Sequence, residues 1–427
     1  MITTILVFLL GLLLLSIPVA AALAALGLLV GQIFSPFPLY RAMGEIAWTA
    51  STDFILFAIP LFVLLGEILL QAGIAARTYR ALDLWLSWLP GGLMHANIGT
   101  SAMFAATSGS SVATAATITT VALPQARRYG YPEGLFAGSI AAGGTLGILI
   151  PPSINLIVYG FLTNTSIPQL FIAGIVPGLI LALLFMICIL IACSINPRLG
   201  GSRRSARWSD RIESLKDLLP VLFIFLVVIG SIYAGWATPT ESAALGVIAA
   251  LLLAFRYRAV SLGFFKRVFE GTMRTTAMIM LILIAANFLN FILDSIGLAE
   301  TLRQFVNNLG LSPFKTLLVI IALYLVLGLF VETLSLMVIT VPIVTPVITG
   351  AGYDPVWFGV LLILLIEMAL ITPPVGLNLY VVQGVRRSGS ISDVMIGAFP
   401  FVLMILVMIG VLVAFPGLAL HFARTVG

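Results

Sequence analysis

The stretch Gly143–Gly160, GGTLGILIPPSINLIVYG, decides how the rest of the chain is read. It starts as an apolar helix with Gly143 and Gly147 on one face, meets Pro151-Pro152, and resumes as a second apolar helix. Two consecutive prolines remove two backbone donors and clash with the preceding turn, so the helix must break. In hydrocarbon a break leaves amides and carbonyls without partners, and it persists only where protein or a watery cavity covers it. A second copy, IEMALITPPVGLNLYVVQG, occupies 366–384, with Pro373-Pro374 lying 222 positions after Pro151-Pro152. One such kink is ordinary packing geometry. Two broken spans in matching places of two halves point to the substrate and ion site of a transporter.

Composition sets the class. The 427 residues are 61% hydrophobic and 9% charged, with a mean hydropathy of +1.19. A soluble fold of this length has no means of hiding that much apolar surface, so the expectation is an all-α polytopic membrane protein. The pI of about 9.4 does not signal nucleic acid, because the basic residues lie between hydrophobic spans. Cys188 and Cys193 share one apolar span but point to different faces, and His95 and His421 are far apart in sequence. No transition-metal ligand set and no nucleophile–base pair follow from them, so no enzyme is expected. The N-terminus lacks the basic n-region of a cleavable signal, and 4–33 reads as the first span.

Full spans are expected at about 4–33, 53–72, 134–163, 168–194, 218–235, 240–256, 275–293, 356–385 and 393–416. Two further apolar regions, 92–123 and 315–348, each divide into two segments of roughly 12–15 residues around a polar point. Helices of about 22 Å fall short of a hydrocarbon core of about 30 Å, so each region reads as a re-entrant hairpin. The first tip is Thr107-Ser108-Gly109-Ser110-Ser111, and the second runs from Gly328 through Glu332, Thr333 and Ser335. Scattered hydroxyls in membrane helices commonly serve close packing. A cluster of them at a hairpin tip, beside unwound carbonyls, suits a hard cation.

The halves align beyond the prolines. Ile17-Pro18-Val19 matches Thr238-Pro239-Thr240, Gly73-Ile74-Ala75 matches Gly297-Leu298-Ala299, and Pro124 matches Pro346. The repeat is span, span, hairpin, broken span, span. The first copy occupies 1–217 with a connector at 196–216, 218–235 is a linker span, and the second copy occupies 236–427. Four crossings plus one linker is an odd number, so the second copy is inverted. With the N-terminus in the cytoplasm, 17 of 21 basic residues fall inside, and only Arg41, Arg303, Lys315 and Arg424 fall outside. Segments 76–90 and 256–274 mix basic and aromatic residues and read as interfacial arms.

Five motifs carry a family resemblance: Ser108–Ala113 (SGSSVA), Gly147–Ser153 (GILIPPS), Leu170–Gly178 (LFIAGIVPG), Thr238–Ala243 (TPTESA) and Thr372–Leu379 (TPPVGLNL). Together they resemble the large membrane subunit, the dicarboxylate-transporter M family, of tripartite ATP-independent periplasmic (TRAP) transporters, over nearly the whole chain. The resemblance implies sodium-driven import of a carboxylate across the bacterial inner membrane, with an elevator domain made of the hairpins and broken spans. It implies two partners, a periplasmic substrate-binding protein and a small four-span membrane subunit on a separate polypeptide. Glu332 is one departure, since the family pattern calls for Asp; the charge is kept on a longer arm.

On this reading Ser108, Ser110 and Ser111 meet carbonyls around Gly144, Gly147 and Pro151 to hold one Na⁺. Gly328, Glu332, Thr333 and Ser335 meet Met368, Thr372 and Pro373 to hold another. The restarted half-helices, with Ser153, Asn155, Gly376 and Asn378 at their starts, direct amides toward a substrate carboxylate. For the two asparagines, capping competes with that role. Glu367 aligns with Thr145 and falls near the second site, while Glu67 is open between an ion role and a structural one. A stand-alone sodium–carboxylate symporter or sodium–proton antiporter of similar architecture is the rival reading; it needs no binding protein. A channel fits poorly, because the sites sit in hairpins rather than a carbonyl ring.

Overall fold

A computed structural model describes residues 17–202, 206–298, 300, 301, 304 and 310–424, with positions 4, 5, 7, 8, 11, 12 and 15 before them; of 106–108 it describes the backbone alone. In chain order the helices are α1 (Val19–Phe34), α2 (Met43–Thr52), α3 (Ala58–Gln71), α4 (Ile74–Leu86), α5 (Gly92–Ser108), α6 (Ser111–Arg128), α7 (Glu133–Thr145), α8 (Ile154–Thr163) and α9 (Ile167–Ile195). They continue as α10 (Trp208–Tyr233), α11 (Pro239–Arg256), α12 (Leu262–Ser295), α13 (Pro313–Leu327), α14 (Thr333–Gly350), α15 (Pro355–Leu370), α16 (Leu377–Arg386), α17 (Ile391–Ala414) and α18 (Gly417–Ala423). No strand occurs among the described residues. Helices α9, α10, α11, α12, α14 and α17 are each long and apolar enough to cross a membrane, and α3 with α4 forms a further, bent candidate. The chain is a multi-pass, all-α membrane protein.

The helix starts follow from local chemistry. Thr238 and Glu241 form a reciprocal capping box that opens α11, and Ser390 with Asp393 does the same for α17. Asp354 receives the amides of Val356 and Trp357 and opens α15. From Val356 to Leu370 every residue of α15 is buried, as expected for a helix apolar on all sides.

Three expectations change. The 4–33 span is not one helix: Ile17 and Pro18 are non-helical, since Pro18 supplies no amide to the preceding turn. The 256–274 arm is not separate from 275–293. From Leu262 on, the arm and the span lie in α12, whose 34 residues run about 51 Å, so one helix covers both the interface and the hydrocarbon. The 76–90 segment does form its own helix, α4, turned by 66° from α3. Three of the hairpin arms are also longer than expected, at 17 and 18 residues for α5 and α6 and 18 for α14, while α13 has the expected 15.

The packing separates two groups. Helices α1, α3, α10, α11 and α12 lie against one another, with α4 leading from them to the first hairpin. The hairpins and broken helices form the other group with α9 and α17. There α7 and α17 cross so closely that no side chain fits at Gly138 or Gly397; each faces backbone of the other helix. At one end of this group the buried Arg386 donates to Glu133 at 2.6 Å and to Asp393 at 3.2 Å, tying α16, α7 and α17 together.

Candidate functional site

The first tip is a left-handed turn at Gly109 (φ +59°) followed by Ser110, the cap of α6. Gly109 has the backbone freedom that the turn requires. Ser110 Oγ accepts the Ala113 amide at 3.4 Å, and Ser110 O accepts the Thr114 hydroxyl at 2.7 Å. This tip sits directly on the first break. A Cβ at Gly147 would lie 3.0 Å from Ser110 O, and one at Gly109 would lie 3.2 Å from Pro152 O.

Between Thr145 and Ile154 the helix tightens over Leu146–Ile148 and then opens at Pro151-Pro152, a cis pair. Pro151 has no amide to give Gly147 O, and Pro152 none for Ile148 O. Ser153 Oγ replaces the second, donating to Ile148 O at 2.5 Å while accepting the Leu156 amide that opens α8. The carbonyl of Gly147 is left without its helical donor. Pro151, Pro152 and Ser153 are all buried.

The second tip uses other chemistry. Glu332 caps α14 and takes four donors: the Leu334 amide at 3.1 Å, the Ser335 amide at 3.0 Å, the Thr333 hydroxyl at 2.9 Å and the Ser335 hydroxyl at 2.8 Å. A hydroxyl that donates keeps its lone pairs, so Thr333 and Ser335 remain possible oxygen ligands beside a carboxylate. The tip meets its own break through Gly328, where a Cβ would lie 2.7 Å from Ala369 Cβ, and through Val375 N donating to Leu329 O at 3.3 Å. Thr372 Oγ1 donates to Met368 O at 2.6 Å, so that carbonyl already has one partner. Pro373 and Pro374, also a cis pair, are exposed, and Gly376 ends the break in a left-handed conformation (φ +43°).

Each restarted half-helix packs on the opposite hairpin: α16 of the second half lies along α6, and α8 of the first half lies along α14. Asn378 therefore reaches the first site. Its Nδ2 donates to Ser111 Oγ at 2.7 Å and to Ala141 O at 3.0 Å, and would lie 3.1 Å from a Cβ at Gly144. Asn378 Oδ1 is buried with no donor among the described residues. Asn155 is also buried, and its Nδ2 lacks an acceptor among them.

Of the residues singled out in the sequence, the first tip and first break thus bring together Ser110, Ser111, Gly144, Gly147, Pro151 and Ser153, with Asn378 added from the other half. At the second, Gly328 and Leu329 meet the break at Ala369 and Val375; Glu332, Thr333 and Ser335 are joined to one another, and Thr372 to Met368. The side chain of Ser108 lies outside the described ones. Sequence reasoning missed Ala141 as the carbonyl that orients Asn378, and missed a buried relay in which Tyr79 donates to Asn97 at 3.0 Å and Asn97 to Ser139 at 2.8 Å. That relay joins α4, α5 and α7; its only sequence signal is polar residues inside apolar helices. Glu367 is fully buried, and both its oxygens lack partners among the described residues. Glu67 packs its carboxyl against Gly271 of α12, in the other helix group. A surface crevice of about 400 Å³ lined by Glu45, Asp53, Asn287 and Phe161 lies away from both tips.

Residues 6–418 match the family described as the DctM component of the tripartite ATP-independent periplasmic transporter. The C4-dicarboxylate TRAP transporter large permease protein DctM of Pseudomonas aeruginosa is 34% identical over 402 residues, 94% of this chain and 93% of that one. The isethionate TRAP transporter permease protein DctMQ of Oleidesulfovibrio alaskensis is 32% identical over 95% of this chain and 64% of its own length. Among solved structures, the Alcanivorax borkumensis YdaH transporter shares the fold, with a TM-score of 0.62 at 16% identity over 95% of this chain and 99% of that one. The chain belongs to the DctM family, the large membrane component of tripartite ATP-independent periplasmic transporters.

Proposed function

We propose that this chain is the sodium-driven transport subunit of a TRAP system that imports a carboxylate-type small molecule across the bacterial inner membrane. The observation that carries the reading is the pair of tip-and-break sites, each made of oxygen donors in a membrane interior. At the first, Pro151 leaves Gly147 O without its helical donor, and Asn378 Oδ1 is buried with no donor among the described residues. Unwound carbonyls and hydroxyls are the ligands a hard monovalent cation requires. At the second, Glu332 adds a negative charge that balances a bound cation, beside the Thr333 and Ser335 oxygens.

The substrate anion is held between the tips by first-turn amides of α6, α8 and α16 that the caps leave free, where the N-terminal dipoles favour negative charge; at α14 the Glu332 carboxylate already takes that place. Ser153, Asn155, Gly376 and Asn378 stand at or beside those starts. The hairpins and broken helices then move as one body against α1, α3 and α10–α12, in an elevator movement. The N-terminus is cytoplasmic, a periplasmic binding protein delivers the substrate, and a small four-span subunit flanks the helices that stay fixed. Relatives named for C4-dicarboxylate and isethionate support a small organic anion as cargo.

The test is uptake into proteoliposomes holding this chain and its small subunit, with a liganded binding protein outside. Uptake is expected only with an inward sodium gradient and only with the binding protein present. Uptake of free substrate by this chain alone would establish the stand-alone carrier instead.

A further inference from the structure

Asn378 has two attachments. Through the backbone it follows Pro373–Gly376, the second break, and it sits in the first turn of α16. Through its side chain it holds Ser111, at the first tip, and Ala141 on α7. The carbonyl of Ala141 only accepts, so the amide nitrogen must face it and Oδ1 must point away. A contact of 2.7 Å is lost with a displacement of about 1 Å, which makes the grip on Ser111 sensitive to where α16 begins. Nothing matches it in the other direction, because Asn155 Nδ2 has no acceptor among the described residues.

We infer that Asn378 interlocks the two ion sites, so that filling the second break sets the first tip, and filling the first holds the start of α16. The interlock rests on the sodium reading above. Coupling of this kind is reciprocal, and typical values change affinity by about 5- to 150-fold. It would keep the carrier from moving with one ion bound.

The test uses the full chain with its small subunit, in a background where Cys188 and Cys193 are replaced by Ala. Single reporters Val112→Cys and Phe330→Cys, at exposed positions beside the first and second tips, are titrated with sodium alone against a thiol reagent. The lesion Thr333→Ala, at the second tip, is expected to raise the sodium needed for half-protection at Val112→Cys by about fivefold or more. Adding Asn378→Leu should abolish that shift. If Asn378→Leu removes protection at the first tip altogether, the reverse cycle decides: Ser110→Ala should shift Phe330→Cys with Asn378 present and not without it. Equal shifts with and without Asn378, or no shift with it in place, overturn the interlock alone. Absence of sodium protection at both tips overturns the sodium reading and the interlock with it.

Discussion

The two Pro-Pro breaks share sequence, spacing and backbone course, yet Pro151 and Pro152 are buried while Pro373 and Pro374 face outward. Their tips differ in the residue that caps the second arm. A serine hydroxyl at 110 takes a single described amide, whereas the carboxylate of Glu332 takes two amides and two hydroxyls. The cross-contacts differ as well: Ser111 Oγ accepts from Asn378 of the other half, while Asn155 Nδ2 has no acceptor among the described residues. Two copies of one fold thus carry chemically different tips, one cap having two more acceptor positions than the other.

The sharpest way to break this comparison is at the small residues where tip meets break. Gly147 presses on Ser110 backbone, while its counterpart 222 residues on is already Ala369, with Gly328 as the small partner. Gly147→Leu should overpack the first site and destabilise the protein by about 3 kcal/mol, seen as a lower unfolding midpoint in detergent; a midpoint unchanged from wild type would mean the first tip is not seated there. The asparagines come next. Asn378→Leu removes the donor that Ser111 Oγ and the Ala141 carbonyl share and should cost about 2 kcal/mol, whereas Asn155→Leu removes a donor with no acceptor among the described residues and should be close to neutral. Similar losses for both, in the same denaturation assay, would erase the asymmetry. The smallest effect concerns the caps. Glu332→Ala should cost about 1–2 kcal/mol and Ser110→Ala about 0.5 kcal/mol, a ranking that amide hydrogen exchange in the first turns of α14 and α6 would check.

The breaks, the hairpins and their tip residues were legible because prolines, short apolar segments and clustered hydroxyls each have a local physical cause. What met what was not. Hydropathy places Leu377–Arg386 in the membrane but carries no sign that it lies along Ser111–Arg128 instead of its own hairpin. Glu332 read as a ligand because glutamate is not a usual helix cap, and only its geometry shows four donors converging on it. The basic and aromatic residues of 256–274 suggested an interfacial arm; a continuous helix has no local marker where it leaves the interface, so α12 was divided in two. Asn155 lies four residues past Pro151 and Asn378 five past Pro373, one position out of register, and only the fold shows which of the two reaches a tip.

The bond from Asn378 to Ser111 spans 267 residues of chain, and that distance is also a delay. At roughly 5–20 residues per second of synthesis, the first hairpin enters the membrane about 13–53 s before its amide partner leaves the ribosome. Through that interval the first tip lacks the Asn378 side chain that later ties it to the second half. The first half must therefore wait for the second to arrive and close it.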